Sequence, residues 1–223
     1  MKLVNAELLL DIDIDENRPT VLVIENQKIM TEVVEQLYAL CFSGEGDFVL
    51  SDNNKQLSIE KTTEIIINPF TIDFNSRRTQ IKLYGELQEA ELNHVEEKAT
   101  IQALIIDYLD KLSQNVPYEM ISYELDLDSM KLFKMLNIRI EPQCESLLEK
   151  MVEYTKVLSR LLMKKLLVLV TICNYLDADE VNALYEICNY QKLKVLFLEC
   201  HEQCFSFPVN TYIIDKDKCM IRR

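Results

Sequence analysis

Four carboxylates lie close together in the sequence and could bind a metal ion: Glu119, Glu124, Asp126 and Asp128. The last three alternate with other residues, a spacing that lets their side chains converge on one hard cation. Oxygen donors with no histidine or cysteine beside them favour Ca²⁺ or Mg²⁺ over zinc. The segment lacks the loop glycine and the twelfth-position glutamate of an EF-hand. It therefore predicts either an oxygen-ligand cation site or a solvated acidic loop.

The sequence also holds a cysteine pair with a histidine between its members, Cys200-His201-Glu202-Gln203-Cys204. A structural zinc site needs a second ligand pair at a finger-like distance, and the sequence has none there. Ordinary buried or half-exposed cysteines are therefore expected. The two histidines are His94 and His201. Neither lies beside a nucleophile motif such as G-x-S-x-G that would indicate a catalytic triad, so nucleophilic catalysis has no support.

Clustered basic residues could contact the phosphates of a nucleic acid. Three of them are spaced four apart, as on one face of a helix, and the others group in the middle of the chain. The candidates are Arg77, Arg78, Lys82, Lys131, Lys134, Lys156, Arg160 and Lys164. The chain has no tryptophan, so stacking on single strands is not expected. The groups predict backbone contact with a duplex or, alternatively, solubilising helix faces.

The elements that must position these side chains form an α/β pattern. The apolar run 166–172, a predicted helix over 177–191 and a second apolar run over 194–199 together indicate a parallel βαβ unit. The run 20–25 also leads into a helix. A nucleotide-binding enzyme would carry a glycine-rich phosphate loop after such a strand. None of the three glycines lies in such a setting, so the sequence predicts an NTPase-like, mostly parallel sheet without a phosphate loop.

A helical block interrupts the strand-rich parts of the chain. The apolar spacing predicts one long helix of about 30 residues between Glu86 and Val116. A short helix is expected over 130–136, and another from Pro142, as its first residue, to Lys165. We therefore predict a discontinuous α/β head over residues 1–72 and 148–223, whose strands join into one sheet. Residues 73–147 are the predicted inserted α-helical leg.

Composition and charge narrow the class of protein. The 223 residues carry a net charge of −13, distributed as −8, −6 and +1 over the three predicted segments. Such acidity repels phosphate unless the bases are segregated or a bound cation offsets the acids. The seven cysteines predict a reducing compartment. No apolar run is long enough for a membrane span, so a cytoplasmic protein is expected.

Six segments of the sequence have an order and spacing that are typical of a known family. They are Lys164 to Val170, Tyr175-Leu176 with Asp179-Glu180-Val181, Val195 to Glu199, Tyr212 to Asp217, Thr20 to Glu25, and Asn75-Ser76 with Lys82-Leu83. Together these segments resemble the Csn-type accessory proteins of type II-A CRISPR loci. The resemblance rests on their order and spacing rather than on any single motif.

This resemblance implies a non-enzymatic protein of bacterial spacer acquisition. Members of the family form a homotetrameric ring that encircles double-stranded DNA ends through a basic inner surface. Calcium bound by acidic residues at the junction of leg and head holds the ring, and Glu119 to Asp128 match that place here. The implied partners are the integrase proteins and the RNA-guided nuclease of the same locus, with no nucleotide and no membrane. The alternatives are a degenerate NTPase or nuclease-like α/β protein and an adaptor that binds only proteins.

Overall fold

The computed structural model describes residues 1–15, 18–118, 120–124, 126–216 and 219–222. The chain divides into two compact units. Met1–Phe74 with Pro142–Arg223 form the first, called here the head unit, and Asn75–Glu141 form the second, called the helical unit. The helical unit thus begins at residue 75 rather than 73 and ends at 141 rather than 147. Among the described residues, no helix is long and apolar enough to cross a bilayer.

Strands and helices follow one another in the order expected of an α/β chain with a helical insertion. The strands are β1 (Lys2–Asn5), β2 (Leu10–Asp13), β3 (Thr20–Ile24), β4 (Phe48–Asp52), β5 (Lys55–Leu57), β6 (Thr63–Ile66), β7 (Leu166–Val170), β8 (Lys194–Glu199), β9 (Asn210–Ile214) and β10 (Met220–Arg222). The helices are α1 (Gln27–Phe42), α2 (Ile59–Thr62), α3 (Arg77–Glu91), α4 (Val95–Ser113), α5 (Ser129–Met135), α6 (Leu147–Lys156) and α7 (Ala178–Tyr190).

The main sheet of the head unit has the strand order β10-β9-β3-β8-β7-β6. Its strands from β9 to β6 are parallel, and β10 is antiparallel at one edge. Every residue of β3 and β7 is buried, because a parallel sheet is covered on both faces. This burial explains the continuous apolar runs in the sequence. The predicted fold class, an α/β protein with a mostly parallel sheet, is confirmed, and strands from both sides of the helical insertion meet in this sheet.

A second sheet, antiparallel and of order β2-β1-β4-β5, belongs to the same unit. The prediction that the strands on either side of the insertion form a single sheet is therefore wrong for these four. The reason lies in their alternation: β2 buries Leu10 and Ile12 and exposes the two aspartates between and after them. A half-exposed strand of this kind suits an antiparallel sheet with one solvated face. Leu3, Leu10 and Ile12 face a core shared with α1 and one side of the main sheet.

The predicted single long helix is two helices, α3 and α4, with a break at residues 92–94. The amides of Leu92, Asn93 and His94 each bond to a carbonyl three residues back, which tightens and ends α3. Glu96 and Glu97 then occupy the first turn of α4, where the helix dipole favours acids. The break uses no glycine or proline.

Polar contacts tie the helical unit together. The Lys98 ammonium donates to Glu91 (3.1 Å) and to the Ser129 hydroxyl (2.8 Å), and the buried Ser129 hydroxyl donates to Glu91 (2.6 Å). The Ser129 hydrogen bond, more than Lys98, holds the pKa of Glu91 below its ordinary value. The Asn75 side chain both donates to and accepts from the backbone of Ile140, at 2.8 Å each. These bonds join the two ends of the unit and fix α4 against the start of α5.

The helix predicted from Pro142 begins five residues later. Ser146 caps α6 by accepting from the Glu149 amide at 3.1 Å, so the capping side chain, not the proline, sets the start. At its other end α6 passes into a π-helical turn, Val157–Leu161, and the chain leaves the helix near Leu162. The prediction of a helix from Pro142 to Lys165 is therefore wrong at both ends.

Candidate functional site

The carboxyl edge of the main sheet is the place where open α/β sheets bind nucleotides. Here β3 and α1 are joined by only two residues, Glu25 and Asn26. The Asn26 side chain accepts from the amides of Lys28 (3.1 Å) and Ile29 (3.4 Å), so it occupies the start of the helix. A connection of this length has no room for the loop that cradles phosphates in an NTPase.

A second backbone cradle at the same edge already holds a carboxylate from the chain. Thr171 follows β7 with a left-handed φ of 51°, and the 3₁₀ turn Ile172–Asn174 comes directly after it. The Cys173 amide donates to Glu199 Oε1 at 3.2 Å, and Glu199 is 1% exposed. Successive amides in such a turn form an anion-binding nest. The nest is therefore occupied by Glu199.

Burial controls the protonation of both groups in this nest. It raises the pKa of Glu199, against the hydrogen bonds from the Cys173 and Ile172 amides, which lower it. Burial and the neighbouring Glu199 carboxylate raise the pKa of the Cys173 thiol to about 12. A thiol held protonated in this way is a poor nucleophile. The sequence pointed to neither residue, although a charged residue that ends a buried strand was a usable signal.

The structure gives the predicted calcium ligands of the helical unit separate contacts. Asp128 caps α5 by accepting from the amides of Met130 (2.9 Å) and Lys131 (3.2 Å). The Lys131 ammonium lies 3.8 Å from the Glu124 carboxylate and 3.9 Å from the Asp128 carboxylate. Glu124 and Asp126 line a small cleft of about 40 Å³ beside α4. Glu119 lies outside the described residues.

Among the described residues, no three acidic, cysteine or histidine side chains come together as a metal-binding group. The exposed Lys131 ammonium lies within 4 Å of two of the predicted ligands, Glu124 and Asp128. The four carboxylates therefore stay a prediction for calcium, with Asp128 in a capping role in this structure.

The predicted phosphate-contacting bases of the helical unit are mostly exposed. Arg77, Lys82 and Lys134 are exposed, Arg78 is half-buried, and Lys131 is the base beside the acidic cluster. The two arginines occupy the first turn of α3, a position where acids are usual and where α3 has none. Positive side chains at the amino end of a helix suit an anionic partner.

The second set of bases does not share one helix face. Lys156 pairs with Glu153 one turn before it, and Arg160 is exposed. Lys164 is buried: its ammonium donates to the carbonyls of Glu60 and Thr63 at 2.6 Å each. The prediction of a shared face is wrong for Lys164, because the π-helical turn and the end of the helix rotate it inward.

A stripe of exposed apolar side chains runs along α4. Its members are Ile101, Leu104, Ile105, Tyr108 and Leu112, which are 38–64% exposed. Their spacing of three and four residues places them on one side of the helix. No residue of α4 is buried, and among the described residues the five side chains of the stripe remain exposed. The sequence predicted the helical spacing but not that the stripe would face outward.

Comparison with known proteins places the chain in a family. Residues 42–218 match the family model described as CRISPR-associated protein (Cas_Csn2). The chain belongs to the Csn2 family of CRISPR-associated proteins. It is 32% identical over 197 residues to a CRISPR-associated protein Csn2 of Enterococcus faecalis, covering 86% of this chain and 87% of that one. A Csn2 protein of Streptococcus agalactiae is 29% identical over 219 residues, covering 96% and 95%.

A solved structure shows the same fold. The crystal structure of Stu0660 of Streptococcus thermophilus matches with a TM-score of 0.58 and 15% identity, over 96% of this chain and 75% of that one. The family model and the two relatives confirm, at the level of the family, the resemblance predicted from the sequence. Membership of the Csn2 family implies a role in CRISPR adaptation.

Proposed function

We propose that this Csn2-family protein forms a homotetrameric ring that encircles double-stranded DNA ends during spacer acquisition. In this proposal it has no catalytic residues, and calcium bound near residues 119–128 stabilises the ring. Its partners are the integrase proteins and the RNA-guided nuclease of the same locus. The assembly, the DNA contact and the non-enzymatic role each have support in the structure beyond family membership.

One observation carries the assembly: the uncovered apolar stripe of α4. Five large apolar side chains on one helix face are a patch of the kind that marks a protein–protein interface. A second copy of the chain presents the same stripe, so two copies can cover each other with a self-complementary contact. Acidic and basic residues flank the stripe, among them the ion pair of Asp107 and Lys111, and form a polar rim.

The DNA contact is supported by exposed bases in the first two turns of α3. Arg77 and Lys82 are exposed, and neither makes an ion pair among the described residues. They are therefore available to phosphates, unlike Lys131 and Lys156, which already lie beside acids. Contacts of this kind read no bases and give affinity by release of counterions.

The proposal that the protein is not an enzyme is supported at the carboxyl edge of the main sheet. The β3–α1 connection is two residues long, and the neighbouring nest holds Glu199. A degenerate NTPase or nuclease would need this edge free to bind phosphate or a metal ion. A phosphate-release assay with ATP and Mg²⁺ separates that alternative from ours: we expect no release above buffer.

A gel-shift series tests the DNA contact. Replacing Arg77, Arg78 and Lys82 together with glutamate should weaken binding of every duplex alike, and wild-type binding should fall steeply with salt. The matched control replaces three exposed lysines of the head unit, Lys28, Lys61 and Lys165, so that the charge change is equal.

The two triple variants have different expected results. The control variant should bind duplex more tightly than the α3 variant does, and both should keep the wild-type assembly mass. Equal loss in the two variants would mean that net charge, not the α3 surface, governs binding. Strong preference for one sequence would contradict the mechanism. Binding of protein partners with no affinity for duplex would favour the adaptor alternative.

A further inference from the structure

A pocket of about 270 Å³ opens in the head unit at the amino edge of the main sheet, opposite the edge that binds nucleotides in open α/β folds. It lies where β8 begins and where the chain approaches β3. Its walls include Arg18, Tyr185, Lys192, Leu193, Lys194 and Val195. The pocket is concave, with apolar side chains and a few convergent polar groups, which is the usual form of a small-molecule site.

The charge of the pocket is opposite to that of the chain. Among the described residues that line it, Arg18, Lys192 and Lys194 are basic and Asp15 is acidic. The chain as a whole has a net charge of −13. The Lys194 ammonium lies 4.0 Å from the Asp52 carboxylate, at the outer limit of an ion pair. A concentration of bases in so acidic a protein attracts a small anion to this place.

Lys192 holds its position against the preference of the backbone. It follows α7 with a left-handed φ of 59°, and its amide donates to the Asn189 carbonyl at 2.9 Å. Helices often end in this way, but the residue there is usually glycine, because a side chain strains the left-handed conformation. A lysine at this place therefore has a cost to stability that a glycine would not have.

Tyr185 adds a polar group that lacks a partner. Its ring lines the pocket and stacks on Phe207, with 5.2 Å between the ring centroids. Within the described residues, its hydroxyl oxygen is buried and makes no hydrogen bond. Burial raises the pKa of Tyr185, and the nearby Asp15 carboxylate adds to that rise, so the hydroxyl keeps its proton. A ligand oxygen brought to this wall would supply the missing acceptor.

We propose that this pocket binds a phosphate monoester. Arg18 and Lys192 face the dianion, and Leu193, Val195 and the Tyr185 ring contact the group esterified to it. The volume, near the lower end of the roughly 300–1,000 Å³ of small-molecule sites, admits one compact phosphate ester and not a large ligand. The ester has two possible sources, a free small molecule or the terminal phosphate of a DNA strand. The second source rests on the proposed function.

Titration of the full chain with phenyl phosphate, followed by calorimetry and by the tyrosine NMR signals, tests the proposal. We expect saturable binding of one phenyl phosphate per chain. Arg18→Gln should weaken it roughly tenfold, the loss expected for one charge-assisted hydrogen bond. Lys61→Gln, which removes an exposed base elsewhere in the head unit, should leave it unchanged.

Lys192→Gly separates ligand binding from structure, because the two roles move in opposite directions. The substitution should raise the melting temperature by removing backbone strain, and should weaken phenyl phosphate binding roughly tenfold. A variant that is more stable and binds equally well would overturn the role of Lys192. The proposal is overturned if the wild type shows no saturable binding at about 10 mM phenyl phosphate. That concentration detects a binding free energy of roughly 3 kcal/mol.

The source of the ester is settled by comparing duplexes with 5′-phosphate and 5′-hydroxyl ends. Tighter binding of the phosphorylated duplex, lost in Arg18→Gln, supports the DNA end. If both duplexes bind equally well, and the protein binds phenyl phosphate in the separate titration, the ester is a free small molecule. A protein that binds phenyl phosphate but no duplex at all would sink the proposed function and leave the pocket intact.

Discussion

The apolar stripe of α4 gives the sharpest prediction about assembly, tested by Leu104→Glu. Leu104 is 64% exposed, so a second copy can bury about two-thirds of its side chain. Full burial of a leucine side chain contributes roughly 1.5–3 kcal/mol of favourable free energy, so the variant loses roughly 1–2 kcal/mol of association free energy for each copy. A self-complementary contact counts the loss twice, roughly 2–4 kcal/mol. The interface should therefore dissociate at a concentration roughly 30- to 700-fold higher than the wild type.

Light scattering and sedimentation over a dilution series measure this shift. The variant should show a smaller mass than the wild type at micromolar protein, with an unchanged melting temperature of the dilute subunit, because Leu104 is exposed. Leu9→Glu is the matched control, since Leu9 is 81% exposed in a turn of the head unit. The reasoning is refuted if Leu104→Glu keeps the wild-type mass at every dilution, or if Leu9→Glu dissociates the assembly equally.

Three further predictions concern the buried charges and the metal. Lys164→Met should lower the free energy of unfolding by about 3–5 kcal/mol, because it removes the ammonium that lies 3.7 Å from the buried Glu64 carboxylate. The control variant Lys165→Met removes an exposed lysine and should change the free energy of unfolding little. Denaturant titration compares the two variants. The raised pKa of Glu199 means that its contribution to stability is full below its ordinary pKa of 4.5 and is lost as pH rises through the folded value. Glu199→Gln should therefore melt at a higher temperature than the wild type at neutral pH and lose that advantage below pH 4.5; a constant difference would contradict this assignment. Calcium should raise the melting temperature and the assembly mass, and a chelator should reverse both changes. In Glu124→Gln, calcium should raise both by a smaller amount. If a chelator changes neither quantity in the wild type, calcium has no part in the assembly.

The central strands were predictable because of the physics of a parallel sheet. β3 and β7 are buried on both faces, so their sequences are continuous apolar runs that few other structures produce. The antiparallel sheet was harder, because short alternating strands such as β2 carry a weaker signal. In β2, buried Leu10 and Ile12 alternate with exposed aspartates, as expected for a strand with one solvated face.

The errors in the helical parts have a common cause. The break at residues 92–94 contains no glycine or proline, and the local hydrogen bonds that end α3 there do not interrupt the apolar spacing of the sequence. The expected face of Lys156, Arg160 and Lys164 assumed a regular helix, but a π-helical turn lies between the first and last of them. Apolar spacing alone predicts neither event, because tertiary context can override local propensity.

The site residues were predictable in kind rather than in contact. The acidic cluster and the bases at the start of α3 were identified by charge alone. The contacts of the acidic residues could not be predicted in the same way. Asp128 caps α5, and Lys131 lies near both Glu124 and Asp128, because of a loop conformation that composition does not encode. Glu199 belongs to no acidic cluster, so charge spacing did not predict its role, although its place at the end of a buried strand was a usable signal.

The encircling of DNA is the central claim, and one comparison tests it most directly. A linear duplex of a few hundred base pairs and the same sequence as a covalently closed circle are mixed with the assembled protein in calcium. A closed ring can load only by threading onto an end, so the linear form should be bound and the circle should not. Cutting the circle once should restore binding. Equal affinity for the circle and the linear duplex would contradict the account.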